Sequence, residues 1–128
     1  MKIKNIFLFG GGSLISEFYL YLQSLNKFQI YLITSKRHLN SKIDGVLFSD
    51  LLKKNKIKYY KIDKLDLKKI KNIENNFRDI IGISFGAAWI FNNEIINAFN
   101  NNLFNVHGTR LPKNKGGGGF SWQILMNN

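Results

Sequence analysis

Apolar residues in this chain come as short uninterrupted runs that alternate with longer stretches where they recur at helical spacing. Residues 3–9 form the first run and predict a buried strand. Ser13 stands where a helix cap belongs, and Leu14, Phe18, Leu22 and Leu25 follow as one apolar stripe, which predicts a helix with that stripe inward. Residues 29–34 predict a second strand. Ser49 caps a short helix through Leu51 and Leu52, and residues 58–62 give a third strand. Asp66 opens a helix with Leu67, Ile70, Ile73 and Phe77 on one face, and Asp79 leads into a fourth strand over residues 80–85. Asn92 or Asn93 caps the next helix, which turns Ile95, Ile96 and Phe99 inward until Asn100, Asn101 and Asn102 stop it. Residues 103–107 read as a fifth strand, and residues 120–126 begin another helix.

Strands alternating with amphipathic helices specify a parallel sheet with helices on its faces. The expected fold class is therefore α/β, a Rossmann-like doubly wound and mainly parallel sheet in one domain over residues 1–128, with no internal repeat or linker. A chain of 128 residues, 45% of them hydrophobic, can fill one modest core. The absence of cysteine excludes disulfides, thiolate nucleophiles and cysteine-type zinc sites, and agrees with a reducing, cytoplasmic setting. The run over residues 6–9 ends at Gly10 and is far too short to span a bilayer, so no membrane partner is expected. The net charge of +11 invites a nucleic-acid reading. That reading is discounted, because Lys, Asn, Ile and Phe are all abundant as AT-rich codons would make them, and arginine occurs only at positions 37, 78 and 110. Lys53, Lys54, Lys56 and Lys58, and the set Lys68, Lys69 and Lys71, fall opposite apolar helix stripes, where solvated faces belong.

The candidate chemistry lies at the end of the fifth strand. Side chains alternate along a strand, so Asn105 and His107 project from the same face. A neutral imidazole accepts a proton, and an amide NH2 donates to an oxygen that gains charge during reaction; together they are the equipment of acyl transfer to an amine. An isolated Asn-x-His at a strand end can also simply satisfy backbone groups. The stretch Asn105-Val106-His107-Gly108-Thr109-Arg110-Leu111-Pro112-Lys113, with Lys115-Gly116 beyond it, resembles the active-site signature of the folate-dependent formyltransferases. The resemblance continues upstream through Ser84-Phe85-Gly86 and Trp89-Ile90, is strong from about residue 80 onward and loose before it, and leans toward the methionyl-tRNA and nucleotide-sugar branches through Gly108.

The resemblance implies a formyltransferase fold and transfer of a formyl group from 10-formyltetrahydrofolate to an amine acceptor, a nucleotide amino-sugar or methionyl-tRNA. Asn105 and His107 would be the catalytic pair. Trp89, Ile90 and Phe91 would border the pterin ring, with Gly86, Ala87 and Ala88 leaving room for it. Acceptor contacts are expected from Gly10, Gly12, Arg110, Lys115 and Gly117, the glycines by close backbone approach and the cations by holding phosphate. Asn114 stands where many relatives carry an aromatic residue, and Lys115 where they often carry arginine. The family also uses an aspartate on a later strand to orient the histidine, whereas no Asp or Glu follows Glu94 here. The chain is accordingly expected to be a partial catalytic domain, incomplete at its carboxyl end, or a non-catalytic folate-binding remnant.

One rival reading starts from the turn after the first strand. Gly10-Gly11-Gly12 partly matches a dinucleotide fingerprint, and Ser35-Lys36-Arg37-His38 after the second strand could receive the extra phosphate of NADP. Ile15 occupies the place of the third fingerprint glycine, which weakens the match. His38 itself reads as a surface residue. No two histidines or carboxylates show metal-ligand spacing, and no metal is expected.

Overall fold

The computed structural model describes residues 2–106. In chain order the elements are β1 (Asn5–Gly10), α1 (Ser13–Leu25), β2 (Gln29–Thr34), α2 (Lys36–Leu39), β3 (Lys42–Ile43), β4 (Val46–Leu47), α3 (Phe48–Lys54), β5 (Tyr59–Lys61), α4 (Leu67–Ile73), β6 (Ile80–Phe85), α5 (Asn93–Ala98) and β7 (Leu103–Val106). Five strands form one sheet in the order β5-β2-β1-β6-β7, and every pairing in it is parallel. β1 lies at the centre: the chain first winds away from it through β2 to β5, then crosses to its other side for β6 and β7. This is an α/β fold with helices on both faces, consistent with a Rossmann-like arrangement. The helix expected over residues 120–126 and the last residue of the expected fifth strand lie outside the described residues.

Each face of the sheet carries its own core. On one face Ile6, Leu8 and Leu32 meet Ile15, Tyr19 and Leu22 of α1, Leu39 of α2, and Phe48 and Leu52 of α3. On the other, Phe7, Phe9 and Ile33 meet Ile70 of α4 and Ile95 and Ile96 of α5, with Phe99 just beyond that helix. β1 is buried along its whole length, so its apolar run is continuous rather than alternating. Phe7, Phe9 and Phe99 contact one another edge-on or stacked, with centroids 5.7–6.0 Å apart. Full burial of each such ring stabilises the fold by about 1.5–3 kcal/mol.

Several local expectations are corrected. The helix after β1 turns Ile15, Tyr19 and Leu22 to the sheet, while Leu14 is 52% exposed and Leu25 is also exposed. Ile15, Phe18, Tyr19 and Leu22 satisfy helical spacing as well as the expected stripe does, and Ser16 tolerates burial because its hydroxyl donates to the Ser13 carbonyl at 2.8 Å. Ser13 is the first helical residue; Gly12 holds the cap position, with no side-chain cap bond. Ser49 lies inside α3, whose cap position is Leu47; the Phe48 N–H donates to the Ser41 carbonyl at 2.8 Å, a backbone partner in place of a cap. The helix α2 and the β3–β4 hairpin were not anticipated, although Asp44-Gly45, with φ of 50° and 83°, is a strong two-residue hairpin signal.

Other expectations hold. Asp66 Oδ1 accepts the Lys69 N–H at 2.8 Å, and Asn92 Oδ1 accepts the Ile95 N–H at 2.9 Å, so both residues cap as anticipated. Asn100 and Asn101 adopt left-handed φ of 51° and 65° and end the turn after α5. The β1–α1 turn needs glycine for two separate reasons. Gly10 has φ 129°, and a Cβ there would lie 2.2 Å from the Phe85 carbonyl oxygen; Gly12 has φ 106° but open space around it. Gly10→Ala should therefore cost about 3 kcal/mol or more, from strain and overpacking together, and Gly12→Ala roughly 1–2 kcal/mol from strain alone. Urea midpoints of the two variants check the order; equal losses would contradict this account.

Candidate functional site

The sheet's direction of winding reverses between β1 and β6, and the connections leaving their carboxyl ends diverge there. Open α/β sheets bind ligands in the crevice so formed. Gly10, Gly11 and Gly12 lead away on one side and residues 86–91 on the other. The Gly11 N–H donates to the Phe85 carbonyl at 3.4 Å, so the two connections start from a shared point.

Asn105 reaches this edge from β7. The register pairs Ile33 with Phe9, Phe9 with Ser84, and Ser84 with Asn105, so these side chains form one row across the same face. Asn105 is on the buried face of its strand with Leu103 and is 7% exposed. His107 lies outside the described residues, as do Arg110, Lys115 and Gly117. Of the expected acceptor contacts, Gly10 and Gly12 are both in the β1 turn, at the reversal point.

In the connection after β6, Gly86 takes a left-handed φ of 59° and turns the chain over the sheet edge. Trp89 and Phe91 fold back onto Phe9, with centroids 6.3 Å and 5.1 Å from it, both edge-on. Ile90 points the other way and is 70% exposed. Trp89 is 8% exposed, yet its indole Nε1 is sealed from solvent with no hydrogen-bond partner. A buried donor without a partner costs about 1–3 kcal/mol, and such groups call for an explanation beyond packing. Trp89 is thus a core residue by its ring and an unsatisfied donor by its nitrogen.

His38 is half-buried, and its imidazole has a partner that its sequence context does not reveal. Ser35 caps α2 by accepting the His38 N–H at 3.3 Å, and this turn directs the imidazole across the sheet edge. There Nε2 accepts the Ala88 N–H at 3.1 Å, and the ring meets Trp89 at a centroid separation of 5.9 Å. Burial, and secondarily the neighbouring Arg37 guanidinium, push its pKa below the ordinary imidazole value. The sequence carried one signal for this: a serine three residues ahead of the histidine, in cap spacing, just beyond a strand.

Some of the polar groups named in the NADP reading are engaged within the protein, while the Lys36 and Arg37 side chains are exposed. The Ser35 hydroxyl caps α2, His38 holds Ala88, and the Lys36 N–H donates to Asp63 Oδ1 at 2.7 Å. That amide bond, together with Lys61 at 3.2 Å, holds the Asp63 carboxyl below its ordinary range. A carboxylate therefore faces the Lys36 amide. Among the described residues no three acidic, His or Cys side chains gather as a metal site, and no helix is long and apolar enough to cross a membrane. Three clefts lined by described residues, one of them of about 560 Å³ bordered by Lys2, Ile3, Lys4, Lys27 and Phe28, open at the opposite, amino-terminal edge of the sheet. No protein-family model matches the chain, and no curated protein matches it significantly.

The lowered pKa of His38 sets a pH dependence of stability. An unfolded imidazole takes up its proton near pH 6.5, whereas the folded ring resists until a lower pH. The unfolded state therefore binds more protons between the two values, and this contribution, complete above about pH 6.5, is lost as pH falls through the folded pKa. Urea midpoints measured from pH 7.5 to 5 should decline in this window, and His38→Gln should remove that part of the decline. An unchanged slope in the variant would show that His38 is not its source.

Proposed function

We propose that this chain carries the folate pocket and the oxyanion-stabilising group of a formyltransferase fold, which moves a formyl group from 10-formyltetrahydrofolate to an amine. The observation that carries the reading is the placement of Asn105: a buried amide side chain in one row with Ser84 and Phe9 toward the carboxyl end of the sheet. Trp89 supports it in one respect: its indole N–H beside Phe9 has no protein partner, and an acceptor atom of a bound ring reaches it once the connection over residues 86–91 opens to admit the ring. Two strand spacings of about 4.8 Å separate Phe9 from Asn105, so a flat ring lodged against Trp89 can present a side-arm carbon to the amide.

In this mechanism the amine lone pair attacks the formyl carbon and the carbonyl electrons move onto oxygen. Asn105 Nδ2 donates to that oxyanion, which is the charge that develops in the transition state. The sequence resemblance assigns His107 the proton lost by the amine. Collapse of the tetrahedral centre breaks the bond to the folate nitrogen, which takes up a proton, and leaves the acceptor as a formamide. A nucleotide amino-sugar and methionyl-tRNA remain the acceptor classes implied by the resemblance.

Formylation of both acceptor classes from 10-formyltetrahydrofolate, with calorimetry of 5-formyltetrahydrofolate as a stable analogue, tests the reading. Asn105→Ala should lower turnover by roughly 100- to 1000-fold, the cost of one oxyanion donor, while leaving folate affinity nearly unchanged. A loss confined to folate affinity would refute the role given to Asn105. Trp89→Phe deletes the donor and keeps a smaller aromatic ring, and should weaken analogue binding by roughly fivefold or more, one hydrogen bond together with some lost contact area. Absence of any folate binding by the unaltered protein would sink the whole assignment.

A further inference from the structure

His38 belongs to α2, yet it acts on the connection after β6, 50 residues away in sequence. Three contacts fix its ring. The Ser35 cap holds its backbone at 3.3 Å, and the Trp89 ring stands beside it at 5.9 Å. Gly11 lies against it so closely that a Cβ there would come within 2.8 Å of the His38 Cβ. The ring in turn holds the Ala88 N–H at 3.1 Å, one residue before the tryptophan whose indole donor has no partner. To accept that N–H, Nε2 must be bare, so the ring is neutral and its proton is on Nδ1; an imidazolium carries hydrogen on both nitrogens and cannot accept. Charged groups around it are few. Arg37 adjoins it on α2 and opposes a second positive charge, while Gly10, Gly11, Gly12 and residues 86–91 have no ionisable side chain. Asp63, from the connection after β5, is engaged by the Lys36 amide and by Lys61.

We propose that His38 is a positioning residue for the ligand connection: its neutral ring holds the Ala88 amide and so sets Trp89 as a wall of the pocket, and protonation of the ring releases both. The effect on folate rests on the function proposed above; the latch between His38 and Ala88 does not. The latch makes the position of the Trp89 connection, as distinct from proton transfer by His107, sensitive to mild acid.

Nuclear magnetic resonance of the full chain decides this without any ligand. Imidazole nitrogen shifts at neutral pH should report the proton on Nδ1. As pH falls, the Ala88 amide proton should move upfield with the same midpoint as His38 itself, below 6.5. In His38→Gln, whose side-chain carbonyl can accept the same N–H without titrating, the Ala88 signal should stay put. Calorimetry then adds the pocket: affinity for 5-formyltetrahydrofolate should fall roughly fivefold through that window in the unaltered protein, and not in His38→Gln. A proton found on Nε2, or an Ala88 amide that ignores the His38 titration, overturns the latch. Identical pH dependence of folate affinity in the two proteins overturns its role in positioning the pocket. If the unaltered protein binds no folate at any pH, the functional reading falls, and the nitrogen and amide titrations alone support or overturn the latch.

Discussion

Because β1 pairs in parallel with both β2 and β6, the chain must leave the carboxyl end of the sheet in opposite directions from neighbouring strands, and right-handed crossovers then send the helices to opposite faces. That single pairing creates the crevice and determines what borders it. It places a glycine turn and the Trp89 connection side by side, and it carries the register outward through Ser84 to Asn105. A slip of one residue between β1 and β6 would reverse the faces and remove Asn105 from the row that contains Phe9. The aromatic contacts among Phe7, Phe9 and Phe99 resist such a slip, because each ring fits only one side of the sheet.

The alternation of strands and helices was legible because β1, β2 and β6 are apolar runs long enough to stand out, and because Asp66 and the Asn92-Asn93 pair mark helix starts. What escaped was decided by tertiary contacts. In α1, two adjacent apolar stripes satisfy the same spacing, and only the sheet selects Ile15 and Tyr19 over Leu14 and Leu25. The α3 start escaped because the Phe48 amide finds its partner in a distant carbonyl rather than in a nearby serine. The β3–β4 hairpin was within reach of sequence reasoning through Asp44-Gly45, but its strands are too short to show alternation.

The candidate site divides in the same way. Asn105 could be read from its strand, since period-two alternation links it to Leu103 without further information. Trp89 could be read as lying at the ligand edge, but the missing partner of its Nε1 is a property of three-dimensional packing that no local pattern encodes. His38 was only half legible: Lys36 and Arg37 beside it are exposed as the sequence suggests, while the fold carries the half-buried imidazole over the sheet edge to a backbone amide.

Gly11 illustrates how one composition can serve unrelated ends. Glycine-rich turns after a first strand are usually taken to make space for a pyrophosphate, yet here the room beside Gly11 is filled by the protein's own imidazole. The turn is in effect pre-occupied. A methyl group at position 11 would push an imidazole from its seat, and the resulting defect would surface at a tryptophan more than seventy positions along the chain.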